Sequence, residues 1–110
     1  MISCKESVRF SILRPQIWGI FDKLDEAFSA YQKLCIVTCG TDGHPQDDPH
    51  TNGFALDLRS KHLSDEQRHA VLHALRVSLG STYTVLLENE GMDNEHYHIQ
   101  VRKELWRSML

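Results

Sequence analysis

The sequence predicts an α+β fold, with a small, mainly antiparallel sheet and helices packed on one face. Two stretches place apolar residues at helical spacing, and four short apolar or alternating runs have the character of β-strands. Their order along the chain is α-β-β-α-β-β. A length of 110 residues fits one domain over residues 1–110 and leaves no room for a second core.

Both helices have identifiable starts. Pro15 suits the first turn of a helix that continues for about 15–18 residues. Ser64 and Gln67 form a capping box that begins the second helix, which extends through Leu79 and ends at Gly80. The apolar residues at helical spacing are Ile17, Ile20, Phe21, Leu24, Phe28 and Tyr31 in the first helix, and Val71, Leu72, Leu75 and Leu79 in the second.

The strands sort their side chains onto two faces, because neighbouring residues of a strand point to opposite sides. In the second strand Asp57 and Arg59 point away from the apolar face, and in the fourth strand His96 and His98 do the same. Polar groups of two strands are therefore free to build a site. The four strands are predicted at residues 34–40, 53–59, 83–88 and 96–102.

Charge and composition narrow the choice of partners. The chain has 12 Lys and Arg against 15 Asp and Glu, a formal charge of −3, with no basic block, so we expect no nucleic-acid partner. No apolar run has the length of a membrane span or of a signal-peptide core, so we expect a chain that is cytoplasmic as synthesised and has no membrane partner. Three cysteines without a CxxC pattern predict free thiols.

The donor set His50, Asp57 and His98 is the candidate metal site. Two imidazoles and one carboxylate suit zinc with one position left for water, which is typical of catalytic zinc. Gly53 permits a sharp turn that swings His50 back over the start of the strand. Spacing alone leaves two alternatives open: ordinary solvated side chains, and the two-histidine, one-carboxylate site of non-haem iron oxygenases.

The remaining histidines give weaker signals. His69 and His73 are four residues apart on a helix, but the sequence between them is not the HExxH pattern of zinc peptidases, so we expect a solvated helix face. His62 precedes that helix and is interpreted in the same way. His44 lies close to the candidate ligands in sequence and is a candidate for lining a substrate cleft.

Two motifs resemble a known family. "PHTNGFALDLR" is similar to the HxxGxAxD motif of zinc peptidases with the hedgehog/D-Ala-D-Ala peptidase fold, and "EHYHIQ" is similar to the ExxH and HxH segments that complete their site. The likeness to a small bacterial and phage branch covers about residues 36–101. It implies one zinc ion held by His50, Asp57 and His98. It also implies a substrate among peptides or peptidoglycan fragments, cleaved as by a carboxypeptidase, dipeptidase or endolysin.

The resemblance also implies catalytic roles. Glu95 occupies the place of the family's general base, and His96 that of a histidine found in other branches. Strand alternation places His96 on the same face as His98 and Glu95 on the opposite face, unless a β-bulge changes the direction of the Glu95 side chain. A carboxylate is the better proton acceptor and a protonated imidazole the better oxyanion partner, so we predict Glu95 as base and His96 as transition-state support. Glu88, at a strand end, is the reserve base.

The sequence also departs from the family pattern. Asp48 replaces the serine of the usual SxH, and Thr41 and Asp42 stand where many relatives have an arginine for the substrate carboxylate. Arg59, on the strand face of Asp57, is either a substitute for that arginine or an ordinary surface charge, and we assign it, together with His44, to substrate binding. The family's frequent glutamate after HxH is Gln100 here.

The sequence thus favours a zinc-dependent metallopeptidase acting on peptidoglycan stem peptides by means of metal-activated water. A cell-wall substrate would require release of the protein, for example by phage lysis. The alternative is a module of the same fold that keeps its metal, lacks activity, and binds peptidoglycan or a protein.

Overall fold

The computed structural model describes residues 2–5, 13–39, 48–50 and 52–110. Within them the chain forms a five-stranded sheet with helices packed against it, which confirms the predicted α+β class. The strands are β1 (Ile2–Cys4), β2 (Cys35–Cys39), β3 (Ala55–Arg59), β4 (Tyr83–Glu88) and β5 (His96–Val101). The helices are α1 (Pro15–Trp18), α2 (Phe21–Ser29), α3 (Asp65–Leu79) and α4 (Lys103–Ser108), and a 3₁₀ turn spans Gly80–Thr82.

The sheet has the strand order β1-β2-β3-β5-β4. Only the β1–β2 pair is parallel, and the β2–β3, β3–β5 and β5–β4 pairs are antiparallel, so the sheet is mainly antiparallel as predicted. β3 and β5 are therefore central neighbours in the sheet, although about 40 residues separate them in sequence. This adjacency joins the two motifs of the candidate site.

The apolar face of the sheet and the stripes of α2 and α3 form one core. Tyr97, Ile99 and Val101 of β5 are fully buried, as the alternation predicts. The Ser64 hydroxyl accepts from the Gln67 backbone N–H, and the Gln67 side chain accepts from the Ser64 N–H, so the predicted capping box is present. The other fully buried large side chains are Trp106, Phe28, Phe54, Ile17, Leu24, Leu56, Leu58, Leu75, Val37 and Val71.

The first helix differs from the prediction. It is broken into α1 and α2 at Gly19 and Ile20, where the Ile20 N–H donates to Ile17 O three residues back and tightens the end of α1. Glycine has low helix propensity, which favours a break here. β1 and α4 were not predicted, because each is too short to show a periodic pattern.

Candidate metal centre

The pairing of β3 with β5 places polar side chains of the two motifs side by side. Asp57 lies directly opposite His98, and Arg59 lies opposite His96. On the other side of β5, Glu88 of β4 is also opposite His96. Directly opposed residues of an antiparallel pair project to the same face, so β3, β5 and the edge strand β4 present these groups together on the face away from the core.

A tight turn brings His50 to the same place. The Gly53 N–H donates to His50 O and the Phe54 N–H to Pro49 O, and Gly53 has φ 80°, a left-handed conformation that glycine adopts without steric cost. The prediction that Gly53 would turn His50 back toward the strand is confirmed. His50 is only 3% exposed, whereas Asp48, Pro49 and Asn52 beside it are partly exposed.

Asp48 stabilises this turn, a role that the sequence interpretation missed. Its Oδ1 accepts from the His50 backbone N–H at 2.8 Å, the geometry of an Asx turn. Its backbone oxygen accepts from both the backbone N–H and the side-chain amide of Asn52. The signal was available: an aspartate two residues before the ligand, followed by proline, is a turn-forming pair. Asp48 can thus supply the hydrogen bond that a serine would provide in SxH.

The three candidate ligands converge on one point. The His50 Nε2 atom lies 3.1 Å from Asp57 Oδ1 and 3.2 Å from His98 Nδ1, and His98 Nδ1 lies 3.0 Å from Asp57 Oδ1. Donor atoms bound about 2.0–2.1 Å from a tetrahedral zinc lie about 3.3–3.4 Å from one another. The observed triangle is thus only slightly smaller than one face of a zinc coordination tetrahedron. His50, Asp57 and His98 can hold a metal ion.

The donor chemistry also fits zinc. Each of the three atoms is able to accept toward the other two, and one shared proton cannot satisfy all three contacts of such a triangle. A divalent cation can accept a lone pair from each of the three atoms at once. Two imidazole nitrogens and one carboxylate oxygen are donors that zinc prefers, and Asp57 and His98 are half-buried.

Electrostatics keep Asp57 ionised. Burial raises the pKa of the Asp57 carboxyl, but hydrogen bonding with His50 and His98 and the charges of His50 and His96 outweigh burial, so its pKa lies well below the ordinary value. For His98, burial lowers the pKa, while hydrogen bonds to Asp57 and Gln100 raise it, with a net upward shift. A proton therefore competes with a metal ion for His98.

His96 lies beside the triangle without being part of it. Its Nε2 is 3.0 Å from Glu88 Oε1 and 3.7 Å from Asp57 Oδ2, and its Nδ1 is 2.7 Å from Asn94 O. All three partners are oxygen acceptors, so each ring nitrogen has an acceptor within reach. The structure thus brings His96 and the reserve residue Glu88 to the site.

Glu95 does not join this group. Its carboxylate is buried and accepts from the Ser60 hydroxyl at 2.5 Å, from Arg68 Nη1 at 3.3 Å and from the Gly91 N–H at 2.9 Å. Burial raises the pKa of Glu95, but these donors outweigh burial and lower it. The carboxylate thus closes the 89–95 turn against α3. No bulge redirects it toward the candidate ligands, and the carboxylate that contacts His96 is that of the reserve residue Glu88.

Two open clefts meet at the site. One has a volume of about 410 Å³ and is lined by the candidate ligands with Glu88, His96 and Gln100. The other is about 590 Å³, shares Asp57 and His96 with the first, and extends past Arg59, Lys5 and Lys61. Arg59 is exposed and lines this second cleft. His44, the other predicted substrate-binding residue, lies outside the described residues.

The helical histidines lie apart from the site, as predicted. His69 is exposed and pairs with Glu90 at 2.8 Å, and His73 is exposed. His62 is half-buried rather than fully solvated: its Nε2 contacts Leu34 O at 2.8 Å and its ring stacks on Phe28. Cys4 and Cys35 are free thiols, as expected.

Comparison of the chain with protein-family models, curated proteins and solved structures finds no match. No helix in the described part of the chain has both the length and the apolar character needed to cross a membrane.

Proposed function

We propose that this chain is a zinc-dependent metallopeptidase of the hedgehog/D-Ala-D-Ala peptidase kind, and that it hydrolyses a peptide bond in peptidoglycan stem peptides. The principal support is the triangle of His50, Asp57 and His98, whose edges of 3.0–3.2 Å fit one zinc ion. The motif resemblance adds the reaction class, because the same residues stand in the positions of that family's ligands.

Zinc bound by these three side chains supplies Lewis acidity, which lowers the pKa of water to about 7 and polarises a carbonyl group. The chain's own contribution is rigidity. Asp57 and His98 are fixed by strand pairing, and His50 by a turn held by Asp48 and Gly53. Ligands mounted on a sheet keep their separation without further ordering on binding.

Glu88 and His96 are the proton-handling pair in this proposal. Glu88 is partly exposed, so its carboxylate is accessible to take a proton from water and pass it to the leaving amine. His96, held between Glu88 and Asn94 O, lies beside the ligand triangle, where a hydrogen-bond donor would stabilise a tetrahedral oxyanion. This assignment replaces the base role that the sequence interpretation gave to Glu95.

The second cleft suggests how a peptide is held. Arg59 and Lys5 line it, and neither side chain has an ion-pair partner among the described residues, although the cleft is also lined by carboxylates such as Asp57 and Asp93. These two cations favour peptides whose free carboxylate reaches them. Arg59 lies two residues from Asp57 along β3, about 7 Å, a separation comparable to two residues of an extended peptide.

The direct test is hydrolysis of purified peptidoglycan fragments by the zinc-loaded protein, with new amino termini as the readout. We expect wild type and His73→Ala to release amines, and Asp57→Ala to release none. His73 is the matched control because it is an exposed histidine outside the site. Absence of release by well-folded, zinc-loaded wild type would exclude the peptidase proposal.

One observation favours a second candidate, a module that holds its metal but only binds peptidoglycan. Glu95 is fully engaged with Ser60, Arg68 and Gly91, and Glu88 is paired with His96 instead of being free. Retention of the zinc-loaded protein on peptidoglycan without release of amines would support this candidate. Iron as the metal bound during purification would instead support the oxygenase-type site that the same donors permit.

A further inference from the structure

Gln100 is a site residue with no role in the proposed chemistry. It follows His96 and His98 on the same face of β5, and its Oε1 lies 2.7 Å from His98 Nε2. Its own amide nitrogen donates to the Val101 backbone oxygen at 3.3 Å. A carbonyl oxygen can only accept, so the amide nitrogen must face Val101 and the amide oxygen must face His98.

This arrangement decides which nitrogen of His98 carries the proton. The Nε2 atom, facing an amide oxygen, must donate, and in the neutral ring Nδ1 then keeps its lone pair. Nδ1 is the atom that faces Asp57 Oδ1 at 3.0 Å and His50 Nε2 at 3.2 Å. The lone pair therefore points into the ligand triangle.

The opposite tautomer has a strong partner as well. With its proton on Nδ1, His98 would donate to the Asp57 carboxylate, and that proton would occupy the position where a metal binds. The two acceptors, Asp57 on one side of the ring and Gln100 on the other, thus favour opposite tautomers. Without Gln100, the Asp57 carboxylate is the acceptor that remains for the ring, which favours the proton on Nδ1.

We propose that Gln100 is a positioning residue that selects the metal-binding tautomer of His98. The proposal rests on the metal site of the proposed function and does not depend on hydrolysis. Acceptors for the second nitrogen of a metal-ligating histidine typically change metal affinity about 10- to 100-fold when removed. We expect a zinc affinity loss of that size in Gln100→Leu, which removes the acceptor.

Two companion variants make the test specific. Gln100→Glu restores an acceptor at the same place and should bind zinc at least about as tightly as wild type. Thr84→Val is the matched control, because Thr84 is the cross-strand neighbour of Gln100 on β4 and its substitution leaves the His98 acceptor intact. It should bind zinc like wild type.

The measurements are zinc affinity by competition with a chelator and ¹⁵N NMR of the imidazole nitrogens in metal-free protein. NMR is done at about pH 9, more than two units above the ordinary histidine pKa. We expect the proton on Nε2 in wild type, Gln100→Glu and Thr84→Val, and a shift toward Nδ1 in Gln100→Leu. An Nδ1 proton in wild type, an unchanged tautomer in Gln100→Leu, or unchanged zinc affinity in that variant would each overturn the proposal. A wild-type protein that binds zinc but cleaves nothing would overturn only the peptidase proposal.

Discussion

The roles of Glu95 and Glu88 can be separated by the same isosteric substitution at each. Glu95→Gln replaces a buried carboxylate that accepts from Ser60, Arg68 and Gly91. Hydrogen bonds to a charged group contribute about 1.5–3 kcal/mol each and neutral ones about 0.5–1.5 kcal/mol. Neutralising three of them should therefore lower the free energy of unfolding by about 3–4 kcal/mol, which is roughly 15 °C in Tm for a domain of this size.

The expected effect on activity is small in this variant. Because Glu95 holds a turn and does not face the ligand triangle, we expect Glu95→Gln to retain zinc and to lose less than about tenfold in kcat, whereas a lost general base costs about 10²–10⁴-fold. Glu88→Gln should give the opposite result. Its pair with His96 is partly exposed, so stability should change by less than about 1 kcal/mol, while kcat falls about 10²-fold or more.

Thermal unfolding followed by circular dichroism and turnover of a peptidoglycan fragment measure the two quantities on the same samples. A stable but inactive Glu95→Gln together with an active Glu88→Gln would refute this reasoning and restore Glu95 as the base.

Three further predictions concern His96, pH and the α3 cap. His96→Ala should keep one zinc per chain but lose about 10²–10³-fold in kcat, as removal of an oxyanion partner does; loss of zinc instead would make His96 a ligand. In metal-free protein the lowered pKa of Asp57 stabilises the fold above about pH 4, and this stabilisation is lost as the pH falls below that value. The raised pKa of His98 stabilises the fold below about pH 6.5, and this stabilisation is lost as the pH rises through the raised pKa. Urea midpoints should therefore peak between about pH 5 and 6.5, and a midpoint still rising from pH 6 to 9 would contradict these pKa directions. Ser64→Ala should cost about 1 kcal/mol in urea unfolding without changing zinc content, because the capping box lies at the start of α3; an unchanged midpoint would mean that the cap contributes nothing.

The sequence predicted those parts of the fold that have a periodic pattern or a cap. The strand alternation placed His96 and His98 on one face and Tyr97 in the core, and the Ser64–Gln67 pair marked the start of α3. Spacing also identified the three donors, because Gly53 and β3 fix His50 relative to Asp57. These features are local, so a few neighbouring residues suffice to define them.

The remaining features depend on contacts distant in sequence. Glu95 is held by Ser60 and Arg68, about 30 residues away, and no local pattern reveals that partnership. Gln100, by contrast, acts through close neighbours in sequence, Val101 O and His98, but its role depends on side-chain orientations that strand alternation does not specify. The short β1 and α4 are decided by strand pairing and packing rather than by propensity.

The central claim is that His50, Asp57 and His98 hold one zinc ion. It is tested most directly by elemental analysis of protein reconstituted with zinc and freed of excess metal, comparing wild type with three ligand variants and the control His73→Ala. We predict one zinc per chain in wild type and His73→Ala, and far less than one in His50→Ala, Asp57→Ala and His98→Ala. Stoichiometric zinc in all three ligand variants, or none in wild type, would contradict the assignment.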